Sequence, residues 1–149
     1  MGDVADTTTQ NSILDNQIGR QYLTNFDKYP LPLDLALPLF EWGVVFRKGQ
    51  LVHLLHGLSR KNLQDTTRFS LQQSGRFRVQ KGTFEQGVYL YPGDQIRWES
   101  ASPSELEEAL QLLSTHLHPK KLIFYHLGHF PHPLVTGKQL QSWSQQHWD

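Results

Sequence analysis

Apolar residues are densest in Leu31–Phe46, Leu-Pro-Leu-Asp-Leu-Ala-Leu-Pro-Leu-Phe-Glu-Trp-Gly-Val-Val-Phe. A near-continuous apolar run is the mark of a strand covered on both faces, as in parallel sheets. Pro30 and Pro32 exclude helix and hold the chain extended. The pattern predicts a strand over Leu33–Leu37, its ladder ended by Pro38. Val44–Phe46 and Leu51–Leu55 then flank Arg47-Lys48-Gly49-Gln50, a glycine-containing connection that predicts a hairpin. Upstream, Ile13, Leu14, Ile18, Tyr22 and Phe26 recur at near-helical spacing. With Ser12 as cap, they predict a helix over about Ser12–Asn25.

The last third is patterned more sharply. Val88–Leu90 is extended, Pro92-Gly93-Asp94 is a turn, and Gln95–Glu99 is a strand. Ser102-Pro103-Ser104-Glu105 carries a cap, a proline at the first helical position and a capping-box glutamate. Leu106, Ala109, Leu110, Leu113 and Leu117 form one helical stripe, stopped by Pro119. Leu122–Tyr125 is a short apolar strand, and Thr136 caps a final helix with Leu140 and Trp143. Residues 57–87, cut by Gly57, Gly75, Gly82 and Gly87, give only short extended pieces such as Arg68–Leu71 and Arg76–Val79. Strand 95–99, helix 103–117 and strand 122–125 read as a right-handed βαβ unit of parallel strands. The expected fold class is therefore α/β: a partial (β/α) barrel-like structure, or a small mixed α/β sheet with helices packed on it. Residues 1–10 read as a flexible lead-in and residues 11–149 as one α/β domain.

Composition narrows the function classes. Lys plus Arg and Asp plus Glu are each 14, so the formal net charge is zero and no basic footprint for nucleic acid exists. No apolar run reaches the roughly 18 residues of a membrane span, and the polar N-terminus is not a signal peptide. The compartment stays open. Met-Gly lacks the Ser or Thr that myristoylation needs, because position 6 is Asp6. There is no cysteine, hence no disulfide and no thiolate metal site.

Several short motifs carry a family resemblance. Asn11-Ser12-Ile13, Tyr29-Pro30-Leu31-Pro32-Leu33-Asp34-Leu35-Ala36-Leu37-Pro38 and Trp42-Gly43-Val44-Val45-Phe46-Arg47 are three of them. Gly87-Val88-Tyr89-Leu90, Gly93-Asp94 and Phe124-Tyr125-His126-Leu127 are others. Together, over Asn11 to Leu127, they resemble the later part of uncharacterised bacterial proteins with a predicted glycoside-hydrolase-like (β/α)8 barrel. The resemblance implies a fold more than a reaction. A full barrel needs roughly 200 residues or more, so it implies about half a barrel, the C-terminal half of a longer protein, with open sheet edges that invite a second chain. A small self-contained domain is the alternative.

In parallel α/β folds the C-terminal ends of the strands share one face. That rule would gather Glu41, Trp42, Trp98, Glu99 and His126. Paired carboxylates beside aromatic platforms suit glycoside hydrolysis, so Glu41, Glu99 and His126 are the catalytic candidates and Trp42 and Trp98 the sugar-stacking ones. Against this, Glu41 reads equally as a solvated turn residue and the tryptophans as core. Asp34, inside an apolar run, needs a partner if buried, for structure or for ligand binding. His116, His118, His126, His129 and His132 cluster, yet match no metal-ligand spacing, and no metal site is predicted. No GxGxxG, Walker or nucleophile-elbow pattern exists, so no cofactor is expected. Two functions remain: a glycoside-hydrolase-like barrel segment with a carbohydrate-binding or vestigial hydrolase role, or a non-catalytic protein-interaction or assembly module. The expected partners are a carbohydrate, a second copy of the chain, or a second half-barrel.

Overall fold

The structure is a computed structural model that describes residues 2–117, 119–125 and 134–146. The chain divides into two compact units, Ile13–Phe40 with Ala101–Asp149, and Gly2–Ser12 with Glu41–Ser100.

The second unit is a sheet of five strands: β2 (Glu41–Arg47), β3 (Gln50–His56), β4 (Phe69–Gln73), β5 (Arg76–Val79) and β8 (Gln95–Ser100), in the order β3-β2-β8-β5-β4. Every neighbouring pair is antiparallel. A small hairpin joins β6 (Thr83–Glu85) to β7 (Val88–Leu90). Two-residue connections enforce the antiparallel course. Lys48 and Gly49, at φ 52 and 80, close β2 on β3, and Gln86 and Gly87, at φ 49 and 78, close β6 on β7. Positive φ at both central residues is the turn whose twist matches that of the strands it joins. One face of the sheet carries Val45, Ile96 and Phe77; Leu58, Leu63 and Leu90 close the core over it. Gly43 lies on that face because a Cβ there would sit 2.5 Å from Leu58 Cδ2 and 3.2 Å from Ile96 Cγ2.

The other face is lined by Arg97 and Arg76, Cα partners across β8 and β5. The N-terminal segment runs along them. Arg97 donates to the carbonyls of Val4 (2.9 Å) and Asp6 (2.7 Å), and Arg76 to those of Thr7 and Thr9, both at 2.9 Å. The lead-in is thus held by side-chain-to-backbone bonds.

In the first unit, β1 (Leu35–Pro38) pairs in parallel with β9 (Leu122–Tyr125). The helices are α1 (Asn16–Tyr22), α2 (Pro103–Ser114) and α3 (Gly137–Gln146). Helix α2 starts with the expected capping box, Ser102 and Glu105 bonding reciprocally, and buries Leu106, Ala109 and Leu110. Helix α1 is shorter than expected. Asp15, not Ser12, caps it through the N–H groups of Gln17 and Ile18.

The α/β expectation, barrel-like or mixed, is overturned: the protein is mostly β, and the five-stranded sheet is open and antiparallel. The βαβ unit fails for a stated reason. Strand β8 already has β2 on one edge and β5 on the other, so β9 cannot join it and pairs with β1 instead. The apolar run Leu31–Phe46 holds two strands, in line with the expected strand over Leu33–Leu37 and the separate extended run Val44–Phe46. Its two halves, β1 and β2, belong to different sheets.

Candidate functional site

The register fixes where the expected site residues point. Glu41 opposes Ser100, Trp42 opposes Glu99, and Gly43 opposes Trp98. Side chains alternate between faces along a strand, and directly opposed residues share a face. Glu41 and Trp98 therefore lie on the core face and Trp42 and Glu99 on the arginine face. The two carboxylates reach the same end of the sheet on opposite sides of it and are not brought together. His126 lies outside the described residues, as do His118, His129 and His132. Asp34 belongs to the other unit. It is exposed, just before β1, so it is not the buried aspartate its apolar neighbours suggested.

Glu99 is fully committed. It is 2% exposed and pairs with Arg97, itself 1% exposed, through Nε at 2.5 Å. Its other oxygen accepts from Ser12 Oγ at 2.5 Å and Trp42 Nε1 at 2.7 Å. A carboxylate with these donors around it holds strands and N-terminal segment together and has no free oxygen to offer a substrate. Trp42 also meets the His56 ring edge-on, with centroids 5.6 Å apart. Glu41 is half-buried. Burial pushes its carboxyl above the ordinary value, and the Trp98 indole offsets only part of that. Trp98 packs on the core and donates to the Leu58 carbonyl at 3.0 Å, so it is not a sugar platform.

The exposed aromatic surface of this unit lies elsewhere, on the β6–β7 hairpin. Phe84 and Tyr89 are Cα partners and share one face. Tyr91 follows two residues on. These rings are 69%, 39% and 53% exposed. Phe84–Tyr89 and Tyr89–Tyr91 both meet edge to face, with centroids 4.9 Å apart. Arg47 extends the strip, its guanidinium 4.4 Å from the Tyr91 ring centre. Asp94, almost fully buried, fixes that guanidinium with two 2.8 Å bonds, to Nε and Nη2. It also accepts the Tyr91 N–H at 2.9 Å. Burial pushes the Asp94 carboxyl up. Arg47 and the Tyr91 N–H outweigh it, and the net shift is downward. A cleft of about 370 Å3 opens beside Tyr91, Pro92, Arg47 and Lys48.

Inspection of the sequence alone missed this strip. The signal was present: Phe84, Tyr89 and Tyr91 alternate with the inward Glu85 and Leu90 around Gln86-Gly87. The unit is thus defined as an open antiparallel sheet carrying a braced, solvent-facing aromatic strip. No family model, curated protein or solved structure matches the chain. Among the described residues no group of three His, Asp or Glu is placed to hold a metal ion, and no helix is long and apolar enough to cross a membrane.

Proposed function

We propose that this chain is a non-catalytic interaction module, and that the Phe84–Tyr89–Tyr91 strip with Arg47 is its contact surface. The strip itself is the observation that carries the reading. Contiguous exposed aromatic area is uncommon on a protein surface and marks places where something docks. Tyr and Arg, with their large contact area and few rotatable bonds, dominate the binding energy of interfaces. Here the rings brace one another, and Asp94 holds the arginine, so little side-chain freedom is left to lose on binding. The separated carboxylates, one of them saturated, favour binding over hydrolysis.

Selection from a displayed random-peptide library against the full-length chain, beside a glycan array, tests this. Peptide binders that lose affinity with Tyr91→Ala support the reading. Glycans bound through Tyr91, with no peptide selected, would replace it by carbohydrate binding. Binding of neither class, or binding indifferent to Tyr91→Ala and Phe84→Ala, rejects the strip as a contact surface.

A further inference from the structure

The chain also carries an exposed ligand of the kind such a strip takes. In Lys28-Tyr29-Pro30-Leu31-Pro32-Leu33-Asp34, Tyr29 and Leu31 are 51% and 63% exposed. Both prolines fix their own φ. Tyr29 and Leu31, each preceding a proline, are restricted to extended conformations. Four successive residues are thereby restricted; Tyr29 sits at φ −71 and ψ 122, close to polyproline II, and the chain bends at Leu31. A segment of this type has already lost most of its conformational entropy before binding, and its carbonyls project outward for donors. Aromatic-lined grooves recognise it by taking the proline units between ring ridges.

The strip offers the complement. Its rings alternate in tilt, which leaves ridges and clefts rather than one flat plate. Donors stand at its end: Asp94 occupies Arg47 Nε and Nη2 but not Nη1, and Lys48 makes no ion pair among the described residues. The segment ends in the exposed carboxylate of Asp34, opposite in sign to those cations. We infer that the occupant of the strip is the Tyr29–Asp34 segment of a second copy of this chain. Tyr29-Pro30 and Leu31-Pro32 seat on Phe84, Tyr89 and Tyr91, and Asp34 faces Lys48. Each copy presents one segment and one strip, so the contact is between unlike surfaces. Association closes by reciprocal exchange or continues as a chain of copies. This inference rests on the strip being a contact surface.

The test is fluorescence anisotropy of a labelled Lys28–Asp34 peptide titrated with the full-length chain. Saturable binding is expected, weakened at least tenfold by Tyr91→Ala in the chain and by replacing both prolines of the peptide with alanine. An Asp34→Lys peptide binds more weakly at low salt, and the difference shrinks at high salt. Sedimentation velocity of the full-length chain shows concentration-dependent association that Phe84→Ser, an exposed change checked for folding by circular dichroism, removes. A peptide that does not bind, or binds equally to Tyr91→Ala and Phe84→Ser chains, overturns the inference. If library-selected peptides still bind through Tyr91 in that case, only the identity of the partner falls. If they do not, the contact surface falls with it.

Discussion

Replacing Glu99 by glutamine separates a structural carboxylate from a catalytic one. Glutamine keeps the shape and loses the charge. Its single carbonyl oxygen can face Arg97 Nε, and its amide then meets the Trp42 indole N–H, which leaves two donors head to head. Ser12 can rotate to accept instead, but Trp42 cannot. One orphaned buried donor costs about 1–3 kcal/mol. Arg97, 1% exposed, also loses its only carboxylate partner among the described residues. Breaking a buried ion pair by removing one member costs about 3–5 kcal/mol in all, because a charge is left uncompensated. We expect Glu99→Gln to lower unfolding stability by about 3–5 kcal/mol, a large share of the total for one domain. Ser12→Ala, which removes one donor and leaves the ion pair intact, costs about 1 kcal/mol. Arg97→Met with Glu99→Leu removes both charges and recovers part of the Glu99→Gln loss. Urea titrations followed by tryptophan fluorescence measure all of these, provided the slope with denaturant is unchanged between variants. A Glu99→Gln loss below about 1 kcal/mol would refute the argument that this carboxylate is committed to structure.

Three other perturbations follow from local geometry. Gly43→Ala pushes a methyl to 2.5 Å from the Leu58 side chain inside the core, and thermal unfolding should report a loss of about 1–3 kcal/mol; unchanged stability would mean that Leu58 moves freely. The Asp65 carboxyl is pulled from its ordinary 3.8 to about 2, first by the Thr67 hydroxyl, then by Arg68 and the Thr67 N–H. Asp94 is lowered too. A depressed folded pKa gives stability that is present above the ordinary value and is lost as pH falls through the folded one. Carboxyl NMR should therefore place the Asp65 midpoint near 2, and stability should fall between about pH 4 and 2; a normal Asp65 midpoint near 3.8 would sink this. Glu41 has the opposite sign. Its carboxyl is raised by burial, so its charged form opposes folding at neutral pH. Glu41→Gln should raise stability at pH 7 and leave it unchanged at pH 3.5, where both states are protonated. Destabilisation at pH 7 alone would show that Glu41 holds a partner in its charged form.

Local signals carried further than nonlocal ones, although the first helix is capped by Asp15 rather than Ser12. The Ser102–Glu105 capping box and the Leu122–Tyr125 strand depend on neighbours a few residues away, and both are present; of the expected stripe, Leu106, Ala109 and Leu110 are buried on α2, but the helix ends at Ser114, short of Leu117. The choice of strand partner depends on which edges are already taken, and no window of sequence records that. The error on the apolar run has a specific physical cause. Val44, Val45 and Phe46 are all buried although they alternate between faces. Central strand β2 is covered on the core side by Leu55 and Leu58. Arg97 on the opposite face lays its guanidinium 5.1 Å from the Phe46 ring centre. A strand buried on both sides looks the same to hydrophobicity whichever way its neighbours run.

Direction was nonetheless encoded, in the turn rather than in the strand. A connection as short as Lys48-Gly49 cannot join parallel neighbours, so the predicted hairpin already made β2 antiparallel to β3. An antiparallel sheet has no common C-terminal edge at which catalytic groups gather. From there, parity decides the candidate site. With Trp42 opposite Glu99, the two share a face, and Glu41, one residue earlier, must lie on the other with Trp98. The same parity, applied around Gln86-Gly87, puts Phe84, Tyr89 and Tyr91 together on one side. One rule therefore separates the carboxylates that resembled a hydrolase pair and assembles the aromatic strip. Bringing the carboxylates to one face would take a one-residue slip of β2 on β8, against six consecutive pairs in unbroken register, and splitting the aromatic pair would take a slip that the two-residue turn at Gln86-Gly87 opposes.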